Sequence, residues 1–200
     1  KNKKISEKYV DIDFFYKSLS KIFSKNIRIF IDTGCSIAWM MQKFKPKKGQ
    51  RIFHDFNNTA MGWALPASIG SYFANPNNPI VAFIGDGSFM MSLQELATVM
   101  HHKIPIKIFV INNNGYSMIK QTQDQWLDSN YYASSSEGGI SFPDFKKIAS
   151  SFKLKYFELN FNKNIDSILE EILALDSPSL CNIKISPEER GLPQVKFGRP

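Results

Sequence analysis

Two short apolar runs, each ending in a block of compact polar residues, constrain this chain more than any other feature. Ile80-Val81-Ala82-Phe83-Ile84 leads into Gly85-Asp86-Gly87-Ser88, and Ile106-Lys107-Ile108-Phe109-Val110-Ile111 leads into Asn112-Asn113-Asn114-Gly115. Runs so short and so rich in β-branched residues read as strands buried on both faces, which requires a sheet with helices on either side. The rest of the chain supplies them. Val10, Phe14, Phe15, Leu19, Ile22 and Phe23 recur at helical spacing over 10–24. Further helices are predicted through Trp39 and Met40 and over 61–73, 93–101, 143–152 and 165–175, with strands over 27–31, 155–159 and 180–185. Residues 45–49 and 75–79 are turns, and the polar, aromatic stretch 121–141 is predicted as a long functional loop. Strands alternating with helices give an α/β domain, a parallel sheet with helices on both faces and a core over about 27–185.

Two hundred residues with 43% hydrophobic and 22% charged content suffice for one domain with a sizeable core. The net charge of +7 raises nucleic acid as a partner. Its excess is spread over Lys1, Lys3, Lys4, Lys8 and residues 43–48, without an arginine-rich helix or zinc spacing, so a solvated lysine surface is predicted instead. Cys35 and Cys181 make no disulfide framework and have no metal-ligand spacing. No apolar run reaches the roughly 20 residues of a membrane span. A cytoplasmic protein with no nucleic-acid or membrane partner is expected. The chain starts at Lys1 and stops at Phe197-Gly198-Arg199-Pro200, which reads as a piece of a longer protein.

The polar blocks fall where ligands bind in open α/β sheets, beyond the carboxyl ends of the strands. Thr33-Gly34-Cys35-Ser36 falls at another such end. Gly85 and Gly87 let the backbone approach an anion, and Ser88 with the helix behind it offers N–H donors and a positive dipole end. Asp86 would repel bare phosphate. A divalent ion between them removes the conflict, and Mg²⁺ combines a carboxylate with neutral oxygens, phosphate and water. Asp86, the Asn113 side-chain carbonyl and a backbone carbonyl at Gly115 suit that role. A nicotinamide fingerprint is excluded, since Gly85-Asp86-Gly87-Ser88-Phe89-Met90 lacks the third glycine.

These residues resemble the thiamine diphosphate enzymes, whose signature is Gly-Asp-Gly followed at this interval by Asn-Asn. The wider resemblance is to the acetolactate synthase group, carried by GDGSFMMSLQELAT over 85–98 and AMGWALPASIG over 60–70. It runs from about Asp32 to Ile185 and covers the C-terminal, diphosphate-binding third of a typical member. It implies the thiamine diphosphate-binding fold, with Asp86, Asn113 and the Gly115 carbonyl on Mg²⁺. Gly34, Cys35, Ser36, Gly85, Gly87, Ser88 and Tyr116 then belong to the cofactor-binding set. Met61 matches the residue that props the cofactor into its bent shape, and Thr59 the position whose backbone carbonyl receives the 4′-amino group. The activity implied is decarboxylation and carboligation of small 2-oxo acids through a C2 ylide and enamine.

The same resemblance implies a missing partner. Family members take a glutamate from a pyrimidine-binding domain, of the same or a neighbouring subunit, within a homodimer or homotetramer; Glu95, mid-helix, does not replace it. The fragment alone is expected to be inactive, and FAD is possible in the parent enzyme but not through this domain. Acetolactate synthases carry Gln-His where this chain has Cys35-Ser36, and a tryptophan at the place of Thr122, so the specificity is expected to be altered. Trp126, Tyr131 and Tyr132 either line a substrate mouth or pack against the body. His101 and His102 are expected on the surface, and His54 is set near the Thr59 loop with a structural place favoured. Two alternatives stay open: the diphosphate-binding subunit of a two-chain 2-oxo acid decarboxylase, and a non-catalytic cofactor-binding homologue.

Overall fold

The computed structural model describes residues 8–193, so Lys1, Lys3, Lys4 and the 197–200 segment lie outside the described residues. The chain opens with α1 (Ile12–Ile22), capped by the Asp11 carboxylate accepting from Phe14 N–H, and then forms β1 (Arg28–Ile31) and α2 (Cys35–Lys43). β2 (Arg51–Phe53), α3 (Ala64–Ala74) and β3 (Ile80–Gly85) follow. Beyond β3 the chain coils through α4 (Asp86–Ser92), a 3₁₀ turn and α5 (Leu96–His101). β4 (Lys107–Asn112), α6 (Ser117–Trp126), α7 (Phe145–Ser151), β5 (Lys155–Leu159), α8 (Ile165–Leu173) and β6 (Ser179–Lys184) complete it.

All six strands are parallel, in the order β2-β1-β3-β4-β6-β5. From β1 the chain moves outward to β2 and then returns to place β3 on the other side of β1. That reversal opens a crevice between the carboxyl ends of β1 and β3, where ligands of such sheets bind. Alternating side chains fill both faces. Val81 and Phe83 join Phe15, Tyr16, Trp39 and Leu169 in the core under α1, α2 and α8. Ile80, Ala82 and Ile84 join Leu65, Phe89, Val99 and Ala149 in the core under α3 to α5 and α7. Phe83 and Phe109 face each other in register and stack at 5.0 Å, tying β3 to β4 directly beneath the site.

Three sequence expectations need correction, and one element went unread. The helix expected over 61–73 starts at Ala64, because Gly62 turns the backbone at φ +81° and Pro66 is confined to the first turn. Helical structure expected from Leu93 already begins at Asp86, directly off β3. The loop expected over 121–141 is helical as far as Trp126, since Gln121 and Gln123 are buried and bonded rather than solvated. β2 was not anticipated; three residues on a sheet edge carry too little pattern.

Candidate functional site

The crevice holds a cavity of about 610 Å³. Gly34, Cys35, Ser36, Thr59, Met61, Gly85, Asp86, Gly87, Ser88, Asn113, Gly115 and Tyr116 all line it. The residues expected to hold the cofactor and its metal are therefore brought to one place. Thr33, Trp39, Met91, Ile111, Ser117, Met118 and Ile119 line it as well. Thr33 belongs to the block already read at the end of β1; the other six were given no site role because nothing in their residue types or spacing sets them apart from ordinary core.

Local conformation explains the gathering. Gly34 sits at φ +82°, a conformation costly for other residues, and turns β1 sharply into α2. The Gly85 Cα side faces Ser36, whose Oγ would stand 3.9 Å from an added Cβ, so the β1 and β3 loops meet. Gly87 lies beneath the Tyr116 ring, and a Cβ there would come 1.9 Å from Tyr116 Cε1. α2 and α6 begin without a side-chain cap, leaving first-turn N–H groups for a ligand.

Asp86 is 2% exposed. Its Oδ1 accepts from Gly87 N–H at 2.7 Å, and its Oδ2 from Asn113 and Gly115 N–H, each at 3.2 Å. Burial nevertheless pushes its pKa up to about 7, against the pull of those N–H groups. No lysine, arginine or histidine lines the cavity to offset the charge.

The Asn113 amide sits between Ser117 Oγ and the oxygens of the site. Its inner terminal atom lies 2.7 Å from the Gly115 carbonyl and 3.3 Å from Asp86 Oδ2. As a nitrogen it would donate to both; as the oxygen it completes a cluster of three acceptors with no donor among them. Ligands at right angles around Mg²⁺, each about 2.1 Å from the ion, stand about 3 Å apart. The Asn113 oxygen stands at 2.7 and 3.3 Å from the other two, on either side of that spacing, and a buried carboxylate short of positive charge has that need. The residues fit a divalent cation. Among the described residues no group of three or more His, Cys, Asp or Glu could hold a metal, which distinguishes this mixed-oxygen arrangement from a zinc-type site.

A second buried carboxylate went unread in the sequence. Asp32, at the end of β1, is 0% exposed and accepts from Thr33, Gly62 and Ala64 N–H at 3.0, 3.1 and 3.0 Å. Burial raises its pKa, opposed by these donors and the Ser88 hydroxyl. Burial likewise pushes the Cys35 thiol up to about 11, so it lines the cavity as an un-ionised group.

The remaining candidates lie elsewhere. His54 bonds the Ile31 carbonyl through Nδ1 at 2.8 Å and packs between the Phe56 and Trp63 rings. Glu95 accepts from Thr98 Oγ1 at 3.3 Å, and His101 and His102 are exposed. Trp126, Tyr131 and Tyr132 do not line the cavity. Tyr131 instead packs beneath Lys120, whose Nζ is 4.6 Å from the ring centre.

Residues 32–183 match the family described as thiamine pyrophosphate enzyme, C-terminal TPP binding domain. The chain is similar to the acetolactate synthase large subunit of Cyanidium caldarium, with 34% identity over 84% of this chain and 28% of the relative. It is 31% identical to the isozyme 1 large subunit of Escherichia coli K12, over 86% of this chain and 30% of the relative. The large subunit of Lactococcus lactis is 32% identical over 85% of this chain and 29% of its own length. The chain thus spans less than a third of these relatives.

Proposed function

The chain belongs to the thiamine pyrophosphate enzymes, through their C-terminal TPP binding domain, and on that premise we propose that it holds the magnesium–diphosphate end of the cofactor in an acetolactate synthase-like enzyme acting on 2-oxo acids. The observation that carries this reading is the three-oxygen cluster of Asp86, Asn113 and Gly115 in a cavity lined by no cationic side chain. These three would hold Mg²⁺, leaving its other positions to diphosphate oxygens and water. Gly34 to Ser36 and Gly85 to Ser88 would bind phosphate through backbone N–H groups at helix starts, where the dipole supplies about half a positive charge.

Thr59, by its backbone carbonyl, and Met61, by its side chain, would orient the ring end of the cofactor. Met61, Met91, Met118 and Ile119 form an apolar wall at that end, which would exclude water once a second surface covers it. When bound, the thiazolium ring supplies the electron sink that lets a 2-oxo acid lose CO₂ and its remainder join a second carbonyl.

Met61, Met91 and Ile119 are 39%, 56% and 50% exposed, so this wall has room for a second surface. A pyrimidine-binding domain, of the same or a neighbouring subunit, would dock there and bring the glutamate that acts on the ring nitrogen. Thr122 stands one helical turn from Ile119 on the exposed face of α6, beside that wall. Its difference from the tryptophan of acetolactate synthases supports an altered choice of the second 2-oxo acid. Calorimetry on the full-length protein tests the central role. Asp86→Ala is expected to weaken Mg²⁺-dependent cofactor binding at least about 100-fold, a coupling of about 3 kcal/mol; unchanged affinity would refute the metal site.

A further inference from the structure

Asp32 is a carboxylate with more partners than a helix cap requires. α1 and α7 start on Asp11 and Asp144, whose side chains accept from N–H groups two or three residues on. α3 does not. Its local cap position is Trp63, with no side-chain bond, and its first residue Ala64 donates to Asp32 Oδ2 from 32 residues away. A local Ser or Asp would satisfy that N–H at the surface, whereas a fully buried carboxylate bears a desolvation cost that only several charge-assisted bonds offset. Those bonds join three segments of the cavity wall: Thr33 after β1, Gly62 and Ala64 around Met61, and Ser88 in the block after β3.

Met61 lies at the centre of this arrangement. Gly62 N–H is held by Asp32 Oδ1 at 3.1 Å, and a Cβ on Gly62 would meet Met91 Cβ at 2.7 Å, so the turn after Met61 is fixed from both sides. Ahead of Met61, Thr59 N–H donates to the Asp55 carbonyl at 2.8 Å. We infer that Asp32 is a positioning residue that sets the height of Met61 in the cavity and locks it to the Ser88 side, so that the ring end and the diphosphate end keep one fixed separation. The inference rests on the cofactor reading given above.

The test uses the full-length protein with Mg²⁺ and thiamine diphosphate. Asparagine at position 32 offers one acceptor oxygen and turns an NH₂ toward an N–H or O–H donor, so Asp32→Asn frees part of the Met61 turn. Asp32→Glu keeps the charge but displaces the turn by a methylene, and serves if the first variant does not fold. Both are expected to leave cofactor affinity within about 10-fold while slowing exchange of the bound cofactor's C2 proton with D₂O by about 100-fold for Asn and 10-fold for Glu, on the scale of a misplaced reacting group. Amide exchange of cofactor-free protein should show Gly62 and Ala64 at least about 10-fold less protected in Asp32→Asn. In a Met61→Ala background the Asp32→Asn slowing should shrink to within about 3-fold, because both act through one side chain. Wild-type C2 exchange rates in both variants, or losses that multiply with Met61→Ala, would overturn the positioning role alone. A wild-type protein that binds no thiamine diphosphate would overturn the cofactor reading and this role with it.

Discussion

A methyl group at Gly87 would come within 1.9 Å of Tyr116 Cε1 and 2.9 Å of its Cζ. Alanine in a helix is otherwise favoured over glycine by about 1 kcal/mol. Overpacking costs about 1–3 kcal/mol and moves the ring into the cavity both residues line. The clash wins. Gly87→Ala is expected to lower the thermal midpoint and weaken cofactor binding, checked by thermal unfolding and calorimetry; a stabilised, fully binding variant would show that Tyr116 does not rest there. Asp86, Asn113 and the glycines around them were legible in the sequence because each sits at the end of a recognisable apolar run. Asp32 sits at such an end too, but its partners are backbone N–H groups some 30 residues on, which no side-chain pattern announces. Met61 lines the cavity but lies ahead of the helix it was expected to open, since the φ +81° of Gly62 breaks the periodicity that Ala64 resumes.

Among elements, β4 and α8 are joined by a buried lysine. Lys107 Nζ donates to the Leu175 and Ser177 carbonyls, both at 2.7 Å, beyond the end of α8. Burial pulls its pKa down to about 8, against the pull of Asp176. The folded state thus releases this proton before the unfolded chain, whose lysines titrate near 10.4. Below pH 8 the cost of burying the cation is fully present, and between about pH 8 and 10 it is relieved, so this group's contribution to stability improves as pH rises. In denaturant unfolding, wild type should therefore gain stability relative to Lys107→Met as pH rises through that window; a pH-independent difference would contradict the shift. Elements with strong apolar patterns, β3 and β4 above all, were legible from sequence. α6 was not, because Lys120, Gln121 and Gln123 are buried by bonds to Pro187, Gly191 and Tyr132, partners outside any local window.

For the whole molecule, the strand reversal at β1 and β3 sets one end of the site, and β4 supplies its third wall through Asn113 and Gly115. Alternating strands and helices announced a parallel sheet. The order β2-β1-β3-β4-β6-β5 was not written in any segment, because pairing depends on how crossovers pack rather than on strand composition. Among the described residues no helix is long and apolar enough to cross a membrane. The chain spans less than a third of its acetolactate synthase relatives, and the exposed Met91 and Ile119 mark the side where the remaining domains are proposed to close the cavity. Central to the proposed function is a divalent cation held by three oxygens of this domain. Crystals of the full-length protein grown with Mn²⁺ and thiamine diphosphate would locate that ion by its anomalous scattering. The expected result is a peak about 2.2 Å from Asp86, the Asn113 amide oxygen and the Gly115 carbonyl, beside the diphosphate. A peak away from these three atoms, or diphosphate bound in the cavity with no ion between it and Asp86, would contradict it.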